Sequence, residues 1–228
     1  MNSSFIAYHH LGLGDHFICN GLINKLAETY IIHLCCKEHN FKTVSTLYKD
    51  NKNVIVFSIK NEPNDIIQYA KQNGLSIVKI GFSDFYNKTF DKSFYSQYGY
   101  DFSLRYNNFK LPVDVLTHNS LGGLNLYDTL SRDNDCCYCL ISNVCSEGTF
   151  DLNIDTTLHK IYVVPGITDN LLDYVMLIHY AKEIHCIDSS FYHLVDSMGV
   201  NAKLFYYDVR NDYSNKIRVS DKWIQTQA

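Results

Sequence analysis

No stretch of this chain stays apolar for long enough to span a bilayer. The run from Tyr30 to Cys36 is broken by His33, and Met1-Asn2-Ser3-Ser4 lacks the positive start of a secretory leader. These absences predict no signal peptide, no membrane helix and a cytoplasmic location. A basic face is missing too. The net charge is -4 and the 20 Lys and Arg are scattered, which argues against nucleic acid as a partner. Proline is scarce, at 3 residues, while asparagine is plentiful, a composition that a biased genome also produces.

Several cofactor signatures are incomplete. Gly12-Leu13-Gly14 lacks the third glycine of the dinucleotide fingerprint. The second predicted strand ends in Cys35-Cys36-Lys37, with Glu38 only a late carboxylate. No glycine-rich run ends in Lys-Ser or Lys-Thr, so the P-loop machinery is absent. The 8 cysteines do not form a disulfide framework. Cys35-Cys36 and Cys136-Cys137 lie in or beside apolar runs, as buried thiols of a reducing compartment do. Cys136 and Cys139 have the spacing of half a zinc site, but no second such pair follows. Cys145 and His185-Cys186 complete it only if the fold converges. No metal and no cofactor is expected.

What is present describes a folded α/β chain. Apolar residues make up 46% and charged residues 19%, with 18 Tyr and 13 Phe for cores and clefts. Strands are predicted over 5–8, 31–36, 54–57 and 75–80, with helices over 17–28, 40–47 and 64–71 between them. Pro63 and Asp65 open the third helix and Gly74 lies past its end. The segment from Ser83 to Tyr106, dense in Tyr and Phe, reads as a helical bridge or lid. Alternation then restarts, with strands over 137–141, 161–164, 184–187 and 202–206, the last of the chain, and helices over 171–181 and 191–198. Such alternation predicts parallel sheets covered on both faces. Two Rossmann-like lobes facing across a cleft, residues 1–110 and 111–228, fit it; one continuous sheet is the alternative.

Chemistry concentrates at two strand ends. His9-His10-Leu11-Gly12-Leu13-Gly14-Asp15-His16 joins the first strand to an apolar helix, where glycines let backbone approach a ligand and helix amides stay free. Asp15 falls where open α/β sheets bind their ligands. It either acts as a proton acceptor, with His10 or His16 positioning a substrate oxygen, or caps its own helix. Three histidines around a carboxylate also suggest a metal, but adjacent His9 and His10 point oppositely in a strand. At the second end, Asp188-Ser189-Ser190-Phe191-Tyr192-His193 offers hydroxyls and amides to an anion, or forms an ordinary helix cap. Glu147, Asp151 and Asp155 lie in the loop after the 137–141 strand.

Together, Gly12-Leu13-Gly14-Asp15 and Asp188-Ser189-Ser190-Phe191-Tyr192-His193-Leu194, with Asp196 and Gly199 after it, resemble lipopolysaccharide heptosyltransferases and related glycosyltransferases of two Rossmann-like lobes (GT-B type). The resemblance implies an inverting, metal-independent enzyme of glycan biosynthesis. It would move a sugar from a nucleotide-diphosphate donor to a sugar hydroxyl of a glycan acceptor. It assigns the acceptor to lobe 1–110 and the nucleotide sugar to lobe 111–228. Asp15 becomes the general base, with Gly12 and Gly14 shaping its turn, and Ser189, Ser190 and His193 hold donor phosphate. The chain departs from that family in its shorter, truncated length. It also has no basic residue beside Ser142-Asn143; Lys160, Lys182, Arg105 and Lys110 are the stand-ins. A non-catalytic sugar- or nucleotide-binding module and another sugar-nucleotide enzyme, such as an epimerase, are the competing readings.

Overall fold

The structure, a computed structural model, describes residues 3–82, 90–116, 126–131, 137–209 and 219–226. The start of the Tyr-rich segment and Cys136 therefore lie outside the described residues. The chain divides into two compact units, Met1–Pro112 and Val113–Ala228.

The first unit runs β1 (Ser4–Tyr8), α1 (Leu13–Leu26), β2 (Ile31–Lys37), α2 (Phe41–Tyr48), β3 (Val54–Ile59), α3 (Asn64–Asn73), β4 (Ser76–Lys79), α4 (Phe90–Ser96) and α5 (Leu104–Asn107). Its four strands are all parallel, in the order β3-β2-β1-β4. Phe5, Ile6 and Ala7 are all buried, as a central parallel strand covered on both faces requires. Local chemistry sets the ends of α3. The Asp65 carboxylate accepts the Lys60 and Asn61 amides at 2.8 and 2.9 Å, and Gly74 closes the helix at φ +63°.

Helix α1 departs from the sequence expectation. It begins at Leu13, a turn before Phe17, so Gly14 lies inside the helix rather than in a turn. Every residue from His16 to Asn24 is buried, because α4 and α5 lie against this helix. The Tyr95 hydroxyl donates to the Ile18 carbonyl, and Asn108 Nδ2 donates to the Gly21 carbonyl at 2.8 Å. Residues 90–106 of the expected bridge or lid are thus docked on α1. Arg105, a proposed partner for donor phosphate, is 3% exposed, lies 3.9 Å from the Asp91 carboxylate, and sits over the Tyr106 and Phe102 rings. A buried guanidinium already facing a carboxylate is not available to a ligand.

Asparagine has a structural use here. Asn51 donates to Asn24, Asn24 donates to Asn20, and Asn20 accepts the Lys110 amide, at 2.8, 3.1 and 2.8 Å. The ladder fastens the α2–β3 turn and the chain after α5 to opposite ends of one buried amide pair. Buried amides persist when hydrogen-bonded, so these asparagines are framework as well as composition.

The second unit runs α6 (Leu126–Ser131), β5 (Tyr138–Ser142), β6 (Val144–Cys145), β7 (Gly148–Thr149), β8 (His159–Tyr162), α7 (Val175–Tyr180), β9 (Glu183–Ile187), α8 (Ser190–Ser197), β10 (Lys203–Tyr207) and β11 (Trp223–Thr226). A 3-10 turn, Leu171–Tyr174, leads into α7. Five strands pair in parallel in the order β11-β10-β9-β5-β8. Two elements were not expected from sequence. Strands β6 and β7 form a small hairpin that holds Glu147 in its turn. Strand β11 follows β10, so the strand ending near Tyr206 is not the last. The Asp196 carboxylate of α8 accepts from Ser220 Oγ at 2.6 Å and Trp223 Nε1 at 3.0 Å, which fastens β11 to α8. Among the described residues, no helix is long and apolar enough to cross a membrane.

Candidate functional site

Each sheet reverses its strand order once. In the first unit this happens between β1 and β4, in the second between β5 and β9. Open parallel sheets bind ligands beyond the carboxyl ends of the strands at such a point. Both stretches singled out from sequence follow one of these strands: residues 9–16 follow β1 and residues 188–193 follow β9.

The turn after β1 is held by side chains. Leu11 is fully buried with φ +61°, a left-handed conformation that leucine adopts at a cost of about 1–2 kcal/mol. Its N–H donates to His9 Nδ1 at 3.2 Å, and its carbonyl accepts from Asn40 Nδ2 at 3.4 Å. Gly12, in extended conformation, then caps α1. The Asp15 carboxylate reaches back to accept the Gly12 N–H at 3.1 Å, a favourable place for an anion. A β-carbon at residue 12 would lie 2.6 Å from Asp15 Oδ2. Gly12 therefore serves this turn by making room for the carboxylate, while Leu11 supplies the unusual backbone angle. Asp15 remains partly exposed.

The three histidines separate. His9 and His16 are fully buried with ring centroids 4.3 Å apart. Burial pushes His9 down to about 3 and His16 well below the usual histidine range, so both are neutral. Enclosure of both His16 ring nitrogens rules it out as a group positioning substrate. His10 turns the other way. Its Nε2 donates to the Gly81 carbonyl at 3.0 Å and its ring lies 4.5 Å from Phe82, tying the β1 turn to the end of β4. Gly81 has φ +78°, and a β-carbon there would fall 1.8 Å from the Phe94 ring, so only glycine fits. Among the described residues, no group of three or more His, Cys, Asp and Glu is placed to hold a metal ion.

The same edge of the sheet carries a cavity of about 350 Å³, lined by Lys37, Glu38, His39, Ile59, Lys60 and Glu62. Lys60 pairs with Glu38 at 3.1 Å. The Tyr8 hydroxyl, at the end of β1, donates to the Glu62 carboxylate; burial and that anion both raise the phenol above its usual range.

In the second unit, Ser189 is the N-cap of α8, and its Oγ accepts the Tyr192 amide at 3.3 Å. The hydroxyl keeps its own proton as a donor, and the Ser190 and Phe191 amides have no acceptor within the helix. Ser190 is partly exposed. His193 is less accessible than its spacing suggested: its side chain is 9% exposed, with Nε2 3.7 Å from Asp188 Oδ1. Asn143 is engaged by Phe150 through both its backbone carbonyl and its amide. Lys160 donates to the Ile154 carbonyl at 3.0 Å. Both Lys160 and Lys182 lie at the amino ends of their strands, the far edge from Ser189, so neither serves its turn.

The chain matches no protein-family model and no curated protein. It is similar to a solved structure, the crystal structure of a glycosyl transferase family 9 protein from Veillonella parvula, with TM-score 0.54 at 11% identity. The match covers 99% of this chain and 87% of that one. The likeness establishes the fold: a mixed α/β chain built on two parallel, Rossmann-like sheets.

Proposed function

We propose that this chain is a glycosyltransferase that moves a sugar from a nucleotide-diphosphate donor to a hydroxyl of a glycan acceptor, with inversion and without an obligatory metal ion. The observation that carries the reading is the placement of each candidate site beside the reversal point of its own parallel sheet. One site presents a partly exposed carboxylate, the other a helix start capped by a serine. The fold shared with a family 9 glycosyl transferase supports it.

Asp15 takes the proton of the acceptor hydroxyl as its oxygen bonds to the anomeric carbon of the donor. The bond from that carbon to the diphosphate oxygen breaks, and its electron pair leaves with the diphosphate. Ser189 Oγ–H and the open amides of α8 stabilise the charge that develops there, with Ser190 beside them. His193, held near Asp188, orients this turn more than it contacts phosphate. His10 supports the Asp15 turn through Gly81.

Replacing Asp15 with Asn tests the reading. The amide oxygen still accepts the Gly12 N–H, so the turn persists, while loss of the base lowers kcat by about 10²–10⁴ with donor binding retained. Product formation from nucleotide sugars and glycan acceptors is the measurement. Wild-type turnover in Asp15→Asn overturns the assignment. The placement of Lys160 and Lys182 away from Ser189 favours a second reading, a binding module without turnover. Thermal stabilisation by nucleotide sugars with no glycoside product would select it.

A further inference from the structure

His9 and Asn40 are given no role in placing Asp15 by the sequence, yet they hold Leu11, the strained residue that leads into the Asp15 turn. Leu11 enters the turn at φ +61°, fully buried. A buried backbone amide and carbonyl must both be paired, and neither Leu11 group is paired within the β1–α1 backbone; each meets a side chain. The N–H meets His9 Nδ1 at 3.2 Å, the geometry by which an asparagine side chain closes a turn two residues on. The carbonyl meets Asn40 Nδ2 at 3.4 Å, brought from the start of α2. From this fixed residue the chain passes to Gly12, whose N–H is held by the Asp15 carboxylate.

We propose that His9 and Asn40 are positioning residues for Asp15, acting through Leu11, with His9 held as the neutral Nε2–H tautomer. This rests on the reading of Asp15 as the base. Only that tautomer leaves Nδ1 a lone pair for the Leu11 amide. Its Nε2 is buried without a hydrogen-bond partner, and the His16 ring lies 4.3 Å away. Burial of both rings keeps the acceptor in place across the physiological range, since protonation at Nδ1 would replace it with a second donor. The titratable groups of β2 are His33, Cys35, Cys36 and Lys37, and those of the β3–α3 turn are Lys60 and Glu62. His10 follows His9 in its own turn, and its charge disfavours a second charge on His9.

The experiment compares His9→Phe, which keeps an aromatic ring but no acceptor, with His9→Asn, which restores one at the same reach. In the full chain, His9→Phe lowers kcat at least tenfold with the donor KM within twofold, and speeds hydrogen exchange at the Leu11 amide. Amides of Leu22 and Ile23 in α1 keep their protection. His9→Asn returns both kcat and Leu11 exchange to within about threefold of wild type, and nitrogen NMR finds His9 with the proton on Nε2. Unchanged kcat in His9→Phe, a proton on Nδ1, or no rescue by His9→Asn overturns the proposal. Full turnover in Asp15→Asn would overturn the base assignment and the catalytic part of this role with it. The Leu11 exchange result would then decide separately whether His9 holds the turn.

Discussion

Gly21, in the middle of α1, faces the Leu104 carbonyl so closely that a β-carbon would lie 2.4 Å from its oxygen. The contact sets how near α5 comes to α1, and through it the docking of the whole segment from Phe90 to Lys110.

Alanine at this position gains about 1 kcal/mol in helix propensity but collides with backbone that no rotamer change can move. Overpacking costs about 1–3 kcal/mol, and rigid backbone sets it at the upper end. Gly21→Ala should therefore lower the stability of the chain by about 1–2 kcal/mol net, read as a lower urea midpoint. A more stable variant would show that α5 does not rest on α1.

Ser189 separates capping from ligand binding. Alanine removes both cap and hydroxyl and costs about 1 kcal/mol of stability, whereas glycine retains most of the cap. If the hydroxyl donates to phosphate, both variants raise the donor KM about ten- to a hundredfold, the value of one hydrogen bond to a charged group. Unchanged donor affinity in Ser189→Gly would reduce Ser189 to a cap.

Stability should fall with acid from near neutrality. His9 and His16 titrate far lower when folded than the ordinary histidine value of 6.5, because burial disfavours their charged forms. The unfolded chain then binds more protons below pH 6.5. The stabilisation is complete above that pH and declines through the window down to about 3 for His9, with His16 acting in the same direction. At pH 5 the loss is about 1–2 kcal/mol for His9 alone, from the two titration values. Urea unfolding at pH 7 and pH 5 measures it, and His9→Phe should weaken the dependence. Equal midpoints at both pH values in wild type would contradict it.

Asp196 offers a test in the second unit with a built-in reporter, because Trp223 is the single tryptophan of the chain. Asp196→Ala leaves the Trp223 Nε1–H and the Ser220 hydroxyl without their acceptor, a loss of about 2–4 kcal/mol. Asp196→Asn keeps that oxygen and most of the stability. Tryptophan fluorescence during denaturation reads both, and equal midpoints for the two variants would remove the anchoring role.

Legibility in the sequence followed the range of the interactions. Asp65, Gly74 and Ser189 act on amides within a few positions, so their roles could be read from neighbouring residues. The alternation of apolar runs placed the strands of both sheets up to β10. Strand β11 was missed because four residues, Trp223–Thr226, carry little periodic signal, and pairing with β10 decides them. Leu11 gave no warning, since nothing in leucine predicts φ +61°.

The order of apolar and polar residues was enough to specify two α/β units and the two turns where chemistry is proposed, because strand and helix periods are local properties. Tertiary structure alone decided which side chains face solvent there. His16 and Arg105 look functional in sequence but are enclosed, His9 looks like a ligand but holds the backbone of its turn, and Asn40 and Gly21 look ordinary but hold the framework. Their partners are distant: Gly21 meets Asn108 across 87 positions and Asn20 meets Lys110 across 90. Burial and hydrogen-bond satisfaction are properties of what packs around a group, and no local pattern encodes a neighbour that arrives from so far along the chain.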